Sequence, residues 1–148
     1  FNENFEKLEN YKRVKRDNDS RIKLYQKGLF NECKTIGFEI KQSVPAGCEI
    51  NQNSEYCIDV ITIDSLVANN PDIKPTFIKM DIEGSELEAL QGGERTILKY
   101  RPKLAICVYH KEDDILSNFE YINSLGMEYR FYLRHYSYNY EETVLYAV

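Results

Sequence analysis

The stretch FIKMDIEGSELEALQGG, residues 77–93, changes from an apolar segment to a segment with helical spacing. FIKMDI is typical of a buried strand, and SELEALQ is typical of a helix. Asp81, Glu83 and Gly84 lie between the two segments. Ligands of open α/β sheets bind beyond the carboxyl ends of the strands, so two acids at this position indicate a functional turn.

The same turn also has a structural interpretation. Ser85 and Glu88 have the spacing of a capping box, and acids near the start of a helix interact favourably with its dipole. Gly84 would then serve only to permit a tight turn. Asp81 fits this interpretation least, because it precedes the cap by several residues. The residues alone leave both interpretations open.

The segments around this turn predict an α/β fold. A helix is predicted over 85–100, followed by the apolar strand LAICVYH and the helix DDILSNFEYINSLG. Continuous apolar strands that alternate with helices predict a mostly parallel sheet covered on both faces. RFYLRHY and ETVLYAV are joined by a short connection and predict an antiparallel terminal pair. Earlier in the chain, a helix is predicted over 3–17 and strands over 21–28 and 57–63.

Length and composition narrow the classes of function. The chain has 148 residues, which is typical of one domain. Its net charge of −5 argues against binding to nucleic acid. No apolar run approaches the roughly 20 residues that a membrane span requires, so no membrane association is predicted. The four cysteines form no C-x-x-C pair, so we expect no zinc site, reduced thiols and a cytoplasmic location.

His110 lies at the carboxyl end of the strand LAICVYH. If this strand and FIKMDI are parallel neighbours, Asp81, Glu83 and His110 reach the same rim of the sheet. A carboxylate and an imidazole near a substrate hydroxyl could act as a general base and its orienting partner. On the residues alone, His110 could equally be an ordinary surface residue.

The stretches TIDSL and FIKMDIEGSELEALQGGERTILKYRPKLAICVYH resemble the second half of the FkbM-type methyltransferases, a class I S-adenosylmethionine-dependent family. FYLRHYS and ETVLYAV resemble the closing strands of that family. The resemblance implies a Rossmann-like class I methyltransferase sheet, present as one partial domain over residues 1–148. It also implies transfer of a methyl group from S-adenosylmethionine to a hydroxyl group of a sugar or another small metabolite.

The resemblance also implies roles for individual residues. The turn with Asp81 and Glu83 would border both the cofactor and the acceptor hydroxyl, and with His110 these are the predicted catalytic residues. The predicted cofactor-binding residues are Asp81 and a segment near the adenine, namely Gly28, Leu29 and Phe30. A divalent metal at Asp81 is an open alternative, but no second ligand with suitable spacing is identified, so no metal site is predicted.

The chain departs from the family pattern at its start. The complete fold begins with a strand and a glycine-rich turn that hold the cofactor, and a second strand ends in an acid; the chain contains no match to either. A sheet without these central strands exposes strand edges. We therefore expect self-association through exposed edges, and weak or absent S-adenosylmethionine binding and no activity in this chain alone. The alternative function is a non-enzymatic, truncated methyltransferase-like interaction module.

Overall fold

The computed structural model describes residues 21–40, 48–50, 57–139 and 141–148. The helix predicted over 3–17 lies outside these residues. The strands are β1 (Gly28–Leu29), β2 (Lys34–Ile40), β3 (Cys48–Ile50), β4 (Cys57–Ile61), β5 (Phe77–Met80), β6 (Lys103–Cys107), β7 (Phe131–His135) and β8 (Thr143–Ala147). The helices are α1 (Ile63–Ala68), α2 (Glu86–Gln91), α3 (Glu94–Tyr100) and α4 (Asp114–Ser124).

The strands form two four-stranded mixed sheets, with the orders β1-β4-β2-β3 and β5-β6-β8-β7. β1 pairs with β4 and β5 pairs with β6 in parallel, whereas the other four described pairs are antiparallel. The α/β class and the antiparallel terminal pair are confirmed, but parallel pairs do not predominate. Short connections such as residues 136–142 between β7 and β8 leave no room for the crossover that parallel neighbours need.

Gly92 and Gly93 divide a helix that the sequence predicts as one segment over 85–100. α2 ends before this pair, and α3 begins after it. A Cβ atom on Gly92 would collide with the carbonyl oxygen of Phe30, and one on Gly93 would lie 3.0 Å from the Ile63 side chain. The two glycines therefore permit a close approach of the α2–α3 junction to the first sheet and to α1.

The main core lies around β6, whose residues after Lys103 are all buried. Residues of β5, β8 and the helices pack against it, including Met80, Leu90, Ile97, Leu104, Ile106, Ile122 and Leu145. Ala105 and Cys107 on the other face of β6 pack in a second cluster with Val144. Burial on both faces of β6 and its parallel pairing with β5 fix the carboxyl ends of the two strands next to each other. In the described part of the chain, no helix is long and apolar enough to cross a membrane.

Candidate active site

A cluster of charged side chains lies beyond the carboxyl ends of β5 and β6, which are parallel neighbours. Asp81 follows β5 directly, and His110 lies in the loop after β6. The His110 Nε2 atom is 3.6 Å from Asp81 Oδ1 and 3.8 Å from Glu83 Oε2. The structure thus brings the three predicted catalytic residues together, while their catalytic roles stay predictions.

The turn after β5 brings Glu83 to this cluster through two residues with left-handed backbone. Glu83 has φ 58°, and Gly84 has φ 88°. A Cβ atom on Gly84 would lie 3.2 Å from Lys111 Cε and 3.4 Å from His110 Cβ. The turn therefore packs closely against the loop after β6, and glycine suits this position for both its backbone angle and its small size.

Asp81 is held by two hydrogen-bond donors. The Tyr109 hydroxyl donates to Asp81 Oδ1 at 3.0 Å, and Lys79 Nζ donates to Oδ2 at 3.2 Å. Partial burial favours the neutral acid, but the hydrogen bonds from Lys79 and Tyr109 outweigh it and lower the pKa of Asp81 below its usual value. Burial and the neighbouring Asp81 raise the pKa of Tyr109, so its hydroxyl keeps the donated proton at neutral pH.

Glu86 belongs to the same cluster, although it is not among the predicted site residues. Its side chain is 0% exposed, its Oε1 accepts a hydrogen bond from the Ile82 N–H at 2.7 Å, and the same oxygen is 3.4 Å from His110 Nδ1. Burial raises the pKa of Glu86 more than the Ile82 hydrogen bond lowers it. Ser85 makes no capping hydrogen bond with its side chain, so the capping-box interpretation of this turn is wrong.

The sequence does contain a signal for Glu86. Glu86, Ala89 and Leu90 have the i, i+3, i+4 spacing of one helix face, and all three are buried. An acid on the apolar face of a predicted helix needs a partner, because buried carboxylates are costly. Asp81 lies shortly before Glu86 in the sequence and already marks this turn as a candidate site. The partner of Glu86 is therefore expected among the residues near this turn.

Asp114 fixes the backbone of the loop that carries His110. Its Oδ2 accepts hydrogen bonds from the backbone N–H groups of His110 at 2.9 Å and Lys111 at 2.8 Å. Asp114 is 3% exposed. The His110 ring also contacts the Tyr109 ring, with 4.2 Å between the ring centroids. Backbone hydrogen bonds and ring packing together hold the imidazole between the acids.

Comparison with known proteins gives the family. A family model of the Methyltransferase FkbM domain matches residues 2–140. The chain belongs to the FkbM methyltransferase family. The crystal structure of Methyltransferase FkbM from Methylobacillus flagellatus KT has a similar fold, with a TM-score of 0.77 and 37% sequence identity. The match covers 98% of the present chain, which spans 34% of that FkbM protein. No curated protein gives a significant match.

The FkbM resemblance also places a cofactor-binding segment at Gly28, Leu29 and Phe30. In the structure, Gly28 and Leu29 form β1 and pair with β4. The Phe30 ring lies under Lys34, whose Nζ is 4.8 Å from the ring centroid. The described contacts of this segment are with the first sheet, the core and Gly92, and a contact with Asp81 is not among them. The cofactor-binding role of the segment stays a prediction.

Proposed function

We propose that this domain takes part in methyl transfer from S-adenosylmethionine to a hydroxyl group of a sugar or another small metabolite. The observation that supports this function most is Asp81, a carboxylate of lowered pKa that stands beside His110 and Glu83 at the carboxyl ends of two parallel strands. Family membership supports methyl transfer, and the position of these residues supports a small acceptor at the strand rim.

The side chains at the rim suit proton removal from an acceptor hydroxyl. S-adenosylmethionine supplies an electrophilic methyl group when bound. Asp81 accepts the hydroxyl proton, since its side chain is 33% exposed and deprotonated at neutral pH. Tyr109 and Lys79 orient the Asp81 carboxylate through their hydrogen bonds, and His110 stands 3.6 Å from it as the predicted partner of the base. Glu83, with a side chain 43% exposed, binds neighbouring hydroxyl groups of the acceptor. The partly exposed oxygens of Asp81, together with the backbone of Gly28–Phe30, are the groups that would hold the cofactor.

Asp81→Asn tests this function. In the full-length protein, we expect the variant to fold normally and to lose methyl transfer by about 10²–10⁴-fold, the usual contribution of a positioned general base. The assay follows tritium from S-adenosyl-[methyl-³H]methionine onto a panel of monosaccharides. Asp72→Asn, an exposed acid in the turn between α1 and β5, is the matched control and should keep full activity. Unchanged turnover in Asp81→Asn would remove Asp81 from the mechanism.

Calorimetric titration measures the cofactor directly. We expect weak or absent binding of S-adenosylmethionine and S-adenosylhomocysteine to the 148-residue chain, because it contains no match to the glycine-rich turn of the family. Micromolar binding to this chain would show that the rim and Gly28–Phe30 suffice for the cofactor, contrary to this expectation.

A non-enzymatic interaction role is the second candidate, and the edge of β5 favours it. β5 stands at one end of its strand order, and Phe77 at its start is 56% exposed. An edge strand with an exposed apolar residue can pair with a strand of a second copy of the chain. Sedimentation velocity over a range of concentrations should then show dimers, and Phe77→Lys should reduce them. A monomer at every concentration would contradict self-association.

A further inference from the structure

We propose that Asp81, Glu86 and His110 bind a divalent transition-metal cation. One ligand atom from each of the three residues lies within 4.8 Å of the other two. Carboxylate oxygens and an imidazole nitrogen suit Mn²⁺ and Zn²⁺, whereas Mg²⁺ prefers oxygen ligands throughout. This site rests on the geometry of the cluster and stands independently of methyl transfer.

Unpartnered atoms in two of the side chains point to a missing ligand. Glu86 is 0% exposed, and its Oε2 makes no hydrogen bond. The His110 side chain is 10% exposed, and neither of its ring nitrogens makes a hydrogen bond. Buried polar atoms of folded proteins almost always have a partner. A cation coordinated by Glu86 and one nitrogen of His110 would give both side chains the partner that they lack.

The charges around the cluster favour a cation as this partner. Lys79 pairs with Asp81, and Lys111 pairs with Glu88. The described ion pairs of Glu83 and Glu86 are with His110 alone. A divalent cation would balance the two carboxylates that no lysine or arginine reaches in the described part of the chain.

The distances are close to those of a bound ion. Oxygen and nitrogen ligands lie about 2.0–2.2 Å from a tetrahedral Zn²⁺, so neighbouring ligands are about 3.4 Å apart. Small rotations of the side chains therefore bring the three atoms onto one ion. Ile82 and Asp114 hold the Glu86 carboxylate and the His110 backbone, which limits the movement required. Glu83 Oε2, 3.8 Å from His110 Nε2, can supply a fourth ligand from the exposed side.

Mn²⁺ broadening of imidazole signals tests the site in the unmodified chain. The chain has two histidines, and His135 is the internal control because it lies on β7 with its Nδ1 atom 2.9 Å from Thr143 Oγ1. In ¹⁵N spectra of metal-free protein, we expect substoichiometric MnCl₂ to broaden the ring signals of His110 far more than those of His135, which lies two strands from β6 in the same sheet. Unchanged His110 signals, or equal broadening of both rings, would overturn the proposal.

Titration with ZnCl₂ then tests the carboxylates. Glu86→Gln keeps the shape of the side chain and an acceptor for the Ile82 N–H, and it should weaken Zn²⁺ binding at least tenfold. Glu88→Gln, on the same helix, is the matched control and should bind as the wild type does. Equal affinity in Glu86→Gln and the wild type would overturn the site. Because neither cofactor nor acceptor is present, these results are distinguishable from a failure of methyl transfer.

Discussion

Replacing Asp114 with alanine removes the side chain that fixes the loop carrying His110. One oxygen, Oδ2, accepts both backbone hydrogen bonds, from His110 at 2.9 Å and from Lys111 at 2.8 Å. A hydrogen bond to a charged group contributes about 1.5–3 kcal/mol to stability. The alanine variant avoids the cost of burying a carboxylate, and this gain offsets part of the loss of the two hydrogen bonds. We therefore expect the free energy of unfolding to fall by about 2–4 kcal/mol.

Urea denaturation at pH 7, followed by far-ultraviolet circular dichroism, measures this loss. Asp114→Asn should lose less, about 1–2 kcal/mol, because one amide oxygen in the place of Oδ2 can accept both bonds without the charge. Asp113→Ala is the matched control. Asp113 precedes α4 and makes no capping hydrogen bond with its side chain, so its removal should change stability by less than about 0.5 kcal/mol. A loss below about 0.5 kcal/mol in Asp114→Ala, or an equal loss in Asp113→Ala, would refute the role assigned to Asp114.

Three further predictions concern stability and thiol chemistry. Gly84→Ala should lower the stability by about 1–2 kcal/mol, and by more than Gly126→Ala does. Both glycines have positive φ, but only a Cβ atom on Gly84 would meet neighbours within 4 Å. Equal melting temperatures of the two variants would contradict this prediction. Burial of Asp64 favours the neutral acid, but hydrogen bonds from the start of α3 outweigh this effect and lower the pKa of Asp64. The contribution of ionised Asp64 to stability is therefore present above about pH 4 and is lost as the pH falls through the folded-state pKa. The stability deficit of Asp64→Asn at pH 7 should thus shrink at pH 3 in urea titrations, and a constant deficit would argue against it. The hydrogen bond between Cys33 and Ser65 lowers the pKa of the exposed Cys33, whereas burial raises the pKa of Cys107 to about 12. N-ethylmaleimide should therefore label Cys33 and spare Cys107 in the folded protein, as mass spectrometry can verify.

The position of the site could be predicted from the sequence because it depends on local patterns. The apolar strands that precede Asp81 and His110 are continuous enough to mark buried neighbours, and ligands of such sheets bind at the carboxyl ends of the strands. The helical spacing of Glu86 with Ala89 and Leu90 carries similar information. That spacing predicts a buried acid beside the carboxyl ends of the strands.

Other features depend on contacts between distant parts of the chain, and the sequence does not display these. The division between α2 and α3 follows from the approach of the Phe30 carbonyl oxygen to Gly92. The antiparallel pairing of β8 with β6 also joins segments that are distant in the chain. A buried strand has the same apolar pattern whether its neighbours are parallel or antiparallel. The pattern therefore does not fix the strand directions, and the prediction of a mostly parallel sheet is wrong.

The charged side chains of the candidate site come from one short stretch of the sequence. Every described hydrogen bond and ion pair of the candidate site joins residues between Lys79 and Asp114. This stretch is the single connection that runs from β5 through β6 to the start of α4. Asp81 and Tyr109 are separated by 28 positions in the chain. The entropy of closing one such loop grows only slowly with its length. Closing this one loop therefore suffices to bring the acids and the imidazole together, and the whole arrangement lies within one contiguous piece of chain.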